Sequence, residues 1–466
     1  MVFIPNSCYE IIVMFFCCNE CFTLGTGKSF LIKCIRKYMS DTLSPSSVVV
    51  CAPTGTAAFN IAGRTVHSVF SLPVPIPSHT LKPLQSQGLL AFQQRLGDVK
   101  LIIIDEMSMI GRRMLRCLDL RLRQVHPRNA DRPFGGISVC LFGDFGQLPP
   151  VGDKAMFDTR KDSGTLSNDA RQSFKTFKQA VVLTRVERVR GEDEAQASFR
   201  DTLLHFRNGQ VNEEDGKMLS TRLVSRLTDE ECLQFSDAPY LVSTRKQEGE
   251  VNYTELRNNA HPICKINAVH KPAAAAKQDA MGLQPVLRLS KGAKVMLRSN
   301  LWVSAGLTNG SLGVVHGILY DPESSSPPAL PAAVAVEFPC YQGPPWDPNH
   351  PKVVPITPTT AQWQHKNFSL YSRTQVPLTL AYAVTIHKSQ GWTRERIKLD
   401  IGQTEWCGGL SFVAFSRVKS LNGLLIQPQT LGTFTNERLM MVNNLDFQKR
   451  RRYVDNYMTR LSNNTA

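Results

Sequence analysis

At 466 residues the chain is too long for one ordinary domain and has room for two to four. Its hydrophobic fraction of 42% and charged fraction of 20% exclude a disordered protein, and no apolar run is long enough to span a bilayer. The 54 Lys and Arg against 39 Asp and Glu leave a net charge of +15, which suits a polyanionic partner such as a phosphate backbone but also fits a merely basic soluble enzyme.

The N-terminus is unusual. Four of the twelve Cys lie there, and Cys18 and Cys21 form one CxxC with no second pair or histidines at zinc-binding distance, so no metal site is expected. The other eight are spread singly from Cys34 to Cys407, mostly in apolar runs, as small buried hydrophobes in a reducing compartment. Ile11 to Cys18 has the apolarity of a signal-peptide core. No Lys or Arg precedes Lys28, however, so neither a secretory signal nor a mitochondrial presequence fits.

Next comes Gly25-Thr26-Gly27-Lys28-Ser29, the back half of a phosphate-binding loop. Its glycines would let backbone N–H groups approach phosphates, Lys28 would reach the β- and γ-phosphates, and Ser29 would ligate Mg²⁺. The full pattern wants one more glycine, at a position held here by Phe22. Val48 to Cys51, Leu101 to Ile104 and Val139 to Phe142 are unbroken and mostly β-branched, as in parallel strands buried on both faces. That predicts an α/β sheet with function at the strand ends. The second strand ends in Asp105-Glu106, where Asp105 can hold Mg²⁺ and Glu106 can orient and deprotonate water; the bland alternative is two solvated turn carboxylates. The third runs into Gly143 to Pro150 (GDFGQLPP), where Gln147 can sense a γ-phosphate, although alone the octapeptide could be a turn.

A second α/β block opens near Val181 and resumes at Leu378. Between them, nine prolines in the 31 residues from Asp321 to Pro351 exclude long helices, yet Ala333 to Phe338 and Val353 to Ile356 read as strands. Residues 302–375 therefore read as a small β-rich module inserted in the second block, and Ala273 to Ala276 as a surface connection. Lys449 to Arg452 is either a nuclear signal or a solvated basic helix end.

These motifs, in this order, resemble the Pif-one-like 5′-to-3′ DNA helicases of superfamily one, relatives of RecD-type and Helitron-type helicases. Beyond the phosphate loop, the acidic pair and GDFGQLPPV, the resemblance rests on Ala52 to Ala58, Gly63 to Ser68 (GRTVHS), Leu183 to Arg188, Lys291 to Val314, Thr385 to Thr393 (TIHKSQGWT) and Phe412 to Arg417. It implies a P-loop NTPase of two tandem RecA-like domains, 25–180 and 181–301 with 376–440. A small β-barrel at 302–375 would be inserted in the second, and 441–466 would be a basic tail. ATP and Mg²⁺ would be the cofactors. Gly25, Thr26, Gly27, Lys28, Ser29 and Gly391 would hold the nucleotide, and Ser29 and Asp105 the metal. Lys28, Asp105, Glu106, Gln147, Arg188 and Arg417 would carry catalysis, the two arginines as γ-phosphate sensors. Thr54, His67, Asn309, His387 and Lys388 would contact DNA, although each also has an ordinary structural reading. Trp302 and Phe145 could stack on bases or pack in a core.

The implied activity is ATP-driven 5′-to-3′ translocation on single-stranded DNA and unwinding at duplex junctions. The motor would be monomeric, without membrane association, and nuclear or mitochondrial, in repair, recombination or telomere maintenance. Residues 1–24 match nothing in that family, and no Gln precedes Gln85 to read an adenine, so a replaced N-terminus is expected. The rival reading is a DNA-binding remnant that has lost ATP turnover.

Overall fold

Unbroken β-branched runs lose hydrophobic free energy if either face meets water, and this chain buries them in a parallel sheet. A computed structural model describes residues 12–16, 27–183, 194–277, 282–321, 326–364, 370–430, 432–444 and 446–463. The first sheet comprises β1 (Ile12–Phe16), β2 (Val48–Ala52), β3 (Arg64–Thr65), β4 (Leu101–Ile104), β5 (Ser138–Gly143) and β6 (Gln179–Val182), in the order β3-β2-β4-β5-β1-β6. The run that looked like a signal core is therefore a strand, parallel to β5 on one side and β6 on the other. Cys18, Cys21 and Phe22 lie outside the described residues.

Helices α1 (Lys28–Thr42), α2 (Gly55–Asn60), α3 (Val66–Phe70), α4 (Arg112–Val125) and α5 (Glu194–Asn208) follow the strands. Helix α4 buries Leu115, Leu118 and Leu122 against Ile102, Ile104 and Leu141 of the sheet. Each such side chain contributes about 1.5–3 kcal/mol when fully buried. Cys51, Cys117 and Cys140 are core residues, as their apolar settings predict, whereas Cys34 is exposed.

The chain divides into two compact units, residues 1–238 with 389–466, and residues 239–388. The second unit opens on β7 (Tyr240–Val242) and helix α6 (Arg245–Arg257) and then turns antiparallel. Its strands are β8 (Cys264–Asn267), β9 (Val269–Lys271), β10 (Val286–Leu289), β11 (Lys294–Leu297), β12 (Leu312–Leu319), β13 (Ala333–Glu337), β14 (Val353–Ile356), β15 (Thr359–Gln364), β16 (Leu370–Gln375) and β17 (Leu378–Leu380). They form sheets ordered β14-β13-β12-β11-β17, β15-β16-β9 and β10-β8. The antiparallel part thus begins well before residue 302 and ends after 375, because Leu287, Leu289, Val295 and Leu297 share one core with Val334, Val336 and Ile356. Of the expected surface connection, Ala273 and Ala274 are exposed, but Ala275 is buried, and its carbonyl accepts a 3.0 Å bond from the buried Arg373. The unit closes with β18 (Ala383–Thr385), parallel to β7.

The first unit then resumes with β19 (Ile397–Asp400) parallel to β20 (Leu424–Ile426), helix α7 (Leu410–Phe415) and helix α8 (Asp446–Asn463). Residues 181–301 with 376–440, read from sequence as the second RecA-like domain, are thus shared between the two units. Arg207 of α5 ties distant stretches of the first unit together. Fully buried, it donates to Asp144 Oδ1 at 2.7 Å and to Asp455 Oδ2 of α8 at 3.3 Å. The C-terminal segment expected as a basic tail is therefore a docked helix, with Val454 and Met458 in the main core and Lys449 to Arg452 within its span. Among the described residues no helix is long and apolar enough to cross a membrane. Arg207→Ala leaves two buried carboxylates uncompensated and should lower stability by about 3–5 kcal/mol. Chemical denaturation checks this, and an unchanged midpoint would show that the network carries no weight.

Candidate functional site

Gly27 caps α1 in the left-handed conformation, with φ 78°, and Lys28 and Ser29 are the helix's first residues. No acidic residue stands in that first turn, so the positive end of a 15-residue helix is left for an anion. Gly25, Thr26 and Arg188 lie outside the described residues.

Asp105 follows β4, buried, with Oδ1 accepting the Glu106 N–H at 2.9 Å. Burial and the neighbouring Glu106 push its carboxyl above the usual range, and the Lys28 charge pulls it back. A buried carboxylate so placed gains from a cation. Mg²⁺ commonly takes one or two protein oxygens beside phosphates and water, a role that Asp105 and the Ser29 hydroxyl fit. Glu106 is itself left-handed, with φ 53°, a conformation that costs a side-chain-bearing residue about 1–2 kcal/mol.

That turn brings Glu106 to a residue the sequence reading missed. Gln390, inside TIHKSQG, points its amide nitrogen at Gln147 Oε1 (3.3 Å), Ser108 Oγ (3.2 Å) and, at a long 3.5 Å, Glu106 Oε2. Gly391 is beside the same carboxylate: a Cβ there would lie 3.7 Å from Glu106 Oε1. The structure thus brings together Glu106, Gln147 and Gly391, with Gln390 as the link. The signal for Gln390 was its place in a quoted motif, next to a glycine of positive φ.

The GDFGQ loop is held from behind. Asp144 Oδ1 accepts the Gly146 N–H at 2.8 Å, and the Asp144 carbonyl accepts from Gln147 N at 3.1 Å. Burial would raise the Asp144 carboxyl, but Arg207 holds it below its ordinary value. Gly146 is needed because Arg207 crosses it so closely that a Cβ would lie 2.7 Å from Arg207 Cγ. Phe145 packs edge-on against Phe157 at 5.1 Å in the core, so it offers no stacking face, whereas Trp302 is half exposed.

Arg417 lies beneath the same turn. Buried, it donates to the carbonyls of Val413 (2.7 Å), Trp392 (3.2 Å) and Ser389 (3.4 Å) and to Ser416 Oγ (2.6 Å). Through these carbonyls it braces the Ser389–Trp392 turn that carries Gln390 and Gly391.

The DNA-contact candidates lie on different elements. Thr54 caps α2, its Oγ1 accepting from Ala57 N at 3.3 Å. His67 lies in α3, where burial lowers its pKa. Asn309 is an exposed turn residue whose N–H donates to Asn300 Oδ1 at 2.9 Å. His387 is half-buried, its pKa lowered by burial and by Arg245. Lys388 is ion-paired with Glu248 at 2.5 Å.

Residues 12–217 match the PIF1-like helicase family, and residues 281–318 match the DNA helicase Pif1 2B domain. The human ATP-dependent DNA helicase PIF1 is 31% identical over 410 residues, covering 86% of this chain; the chain spans 57% of that relative's length. A solved structure of two coordinating Pif1 helicases unwinding forked double-stranded DNA is 26% identical, with TM-score 0.67, covering 97% of this chain and 94% of its own. Pif1 from Bacteroides in complex with ADP-AlF3 and single-stranded DNA is likewise 26% identical, with TM-score 0.63, covering 93% and 91%. The family match starts at the first residue of β1, inside the segment that the sequence reading set apart. The fold is α/β, two parallel RecA-like sheets with an antiparallel 2B insertion, and the chain belongs to the PIF1-like helicase family.

Proposed function

We propose that the chain is an ATP- and Mg²⁺-dependent DNA helicase moving 5′ to 3′ on single strands and opening duplexes at junctions. The observation that carries this is Gln390 joining Glu106 to Gln147, because it ties the water-orienting carboxylate to the γ-phosphate sensor. Lys28 draws negative charge from the phosphates, and bound Mg²⁺ would supply the electrostatic stabilisation of the departing diphosphate. Glu106 takes the proton of the attacking water. Gln147 and Gln390 register whether the γ-phosphate is present, and Arg188 is proposed to stabilise its developing charge. ATP and single-stranded DNA are supported by the Bacteroides relative that holds ADP-AlF3 with such a strand. Thr54, His67, Asn309, His387 and Lys388 are the proposed strand contacts.

The proposal extends to a monomer working in the nucleus, with the mitochondrion as the alternative, in repair, recombination or telomere maintenance. Those finer roles rest on the resemblance alone. Phe22 in place of a phosphate-loop glycine favours a second reading, a strand-binding protein impaired in ATP turnover.

Glu106→Gln should cut ATP turnover by about 10²–10⁴-fold while nucleotide still binds. Gln390→Ala should cost about 10²-fold in kcat with little change in KM, through misplacement of the same groups. Wild-type turnover in both variants would remove the cluster from the chemistry. A duplex with a 5′ tail should be unwound and one with only a 3′ tail should not; equal opening of both would end the directional reading.

A further inference from the structure

The second unit holds a cavity of about 510 Å³ whose wall includes Arg245, Arg288, Arg298 and Lys388 and one carboxylate, Glu248. That volume is in the range of small-ligand sites, but four cations facing a single acid make the wall strongly positive. The acid is not spread among them. Glu248 gives Oε1 to Lys388 Nζ at 2.5 Å, both side chains being largely buried, at 13% and 27% exposure. Burial, Arg298 and Arg245 all disfavour the charge on Lys388, and Glu248 is what sustains it. Arg298 is brought in against Gly282, where a Cβ would lie 2.6 Å from Nη2, so the glycine makes room for the guanidinium. Arg245 opens helix α6 and is exposed at the rim.

We infer that this cavity seats a phosphodiester of the single strand between Arg245, Arg298 and Lys388, and that Glu248 occupies the same cation until the strand displaces it. The inference rests on the reading of the chain as a single-strand motor. A carboxylate is a fair stand-in for a phosphate oxygen: both accept charge-assisted hydrogen bonds from ammonium and guanidinium groups. With Glu248 seated, Lys388 is held in place and charged, at the cost of a competitor that strand binding must expel. Affinity is thereby reduced and grip loosened, which suits a protein that must release each phosphate as it steps.

The test is fluorescence-anisotropy titration of a labelled oligothymidylate with the full chain, without nucleotide, over a series of salt concentrations. Glu248→Gln should tighten binding by about 3-fold, the worth of one ion pair exchanged for another. It should also steepen the log-log salt dependence by about one, as a further cation becomes available to phosphate. In a Lys388→Ala background the same substitution should change little. Unchanged or weakened binding by a folded Glu248→Gln chain overturns the inference. If that variant does not fold, Arg245→Ala decides the matter: binding should weaken by about 3-fold and the slope should fall by about one. Unaltered binding by Arg245→Ala overturns the inference. Inorganic phosphate at matched ionic strength should displace no oligonucleotide; displacement that disappears with Arg245→Ala would assign the cavity to a free anion instead. Failure of the unaltered chain to bind the oligonucleotide at any salt would remove the motor reading itself, a result distinct from failure of the Glu248 variants alone.

Discussion

A guanidinium wholly withdrawn from water, Arg207 between Asp144 and Asp455, is the constraint on which the first unit depends. Desolvating three charges costs several kcal/mol per ion, and only good geometry offsets it. The arrangement therefore has little freedom to shift. Asp144 Oδ1 must accept from both Arg207 and the Gly146 N–H, which fixes the loop carrying Gln147. Asp455 must come from a helix docked on the core, so α8 closes the fold although it is the last element in the chain. The ion pair joins three stretches far apart in sequence, and the loop they hold is the one that the proposed chemistry needs rigid.

Against that fixed loop, the other side of the cluster is built to respond. Gln390 lies on a short turn between the second unit and β19, braced from below by Arg417 through the Ser389 and Trp392 carbonyls. Its amide offers two N–H groups to three acceptors, so it can shift between Glu106, Ser108 and Gln147 as charge at the site changes. Under the proposed function, loss of a γ-phosphate would change what Gln147 and Glu106 bind, and the turn between Arg417 and Gln390 would be the element that follows.

Much of this was legible because it is local. Four consecutive apolar residues ending in Asp105-Glu106 specify a buried strand and the carboxylates at its end, and the structure places them so. What was not legible depends on tertiary pairing. Ile12–Phe16 has the composition of a buried strand and of a signal core alike, and only its pairing with β5 and β6 separates the two. Arg207 looks like any arginine in an amphipathic helix until Asp144 and Asp455 surround it. Lys388 sits in a motif that suggests a strand contact, and its ion pair with Glu248, 140 residues away, is invisible in that motif. The core that the four-residue strands β8, β10 and β11 share with β13 and β14 cannot be seen in any single sequence window. Arg417 fits a phosphate-sensing motif by sequence, and its contacts with the Val413, Ser389 and Trp392 carbonyls could not be seen there.

The account stands on coupling between strand and nucleotide, and the most direct measurement is phosphate release by the purified chain with and without a single-stranded oligonucleotide. It predicts that saturating oligonucleotide raises the rate by at least about 10-fold, equivalent to about 1.4 kcal/mol of barrier. A rate that is measurable but indifferent to DNA would contradict it, and so would tight oligonucleotide binding with no hydrolysis at any nucleotide concentration.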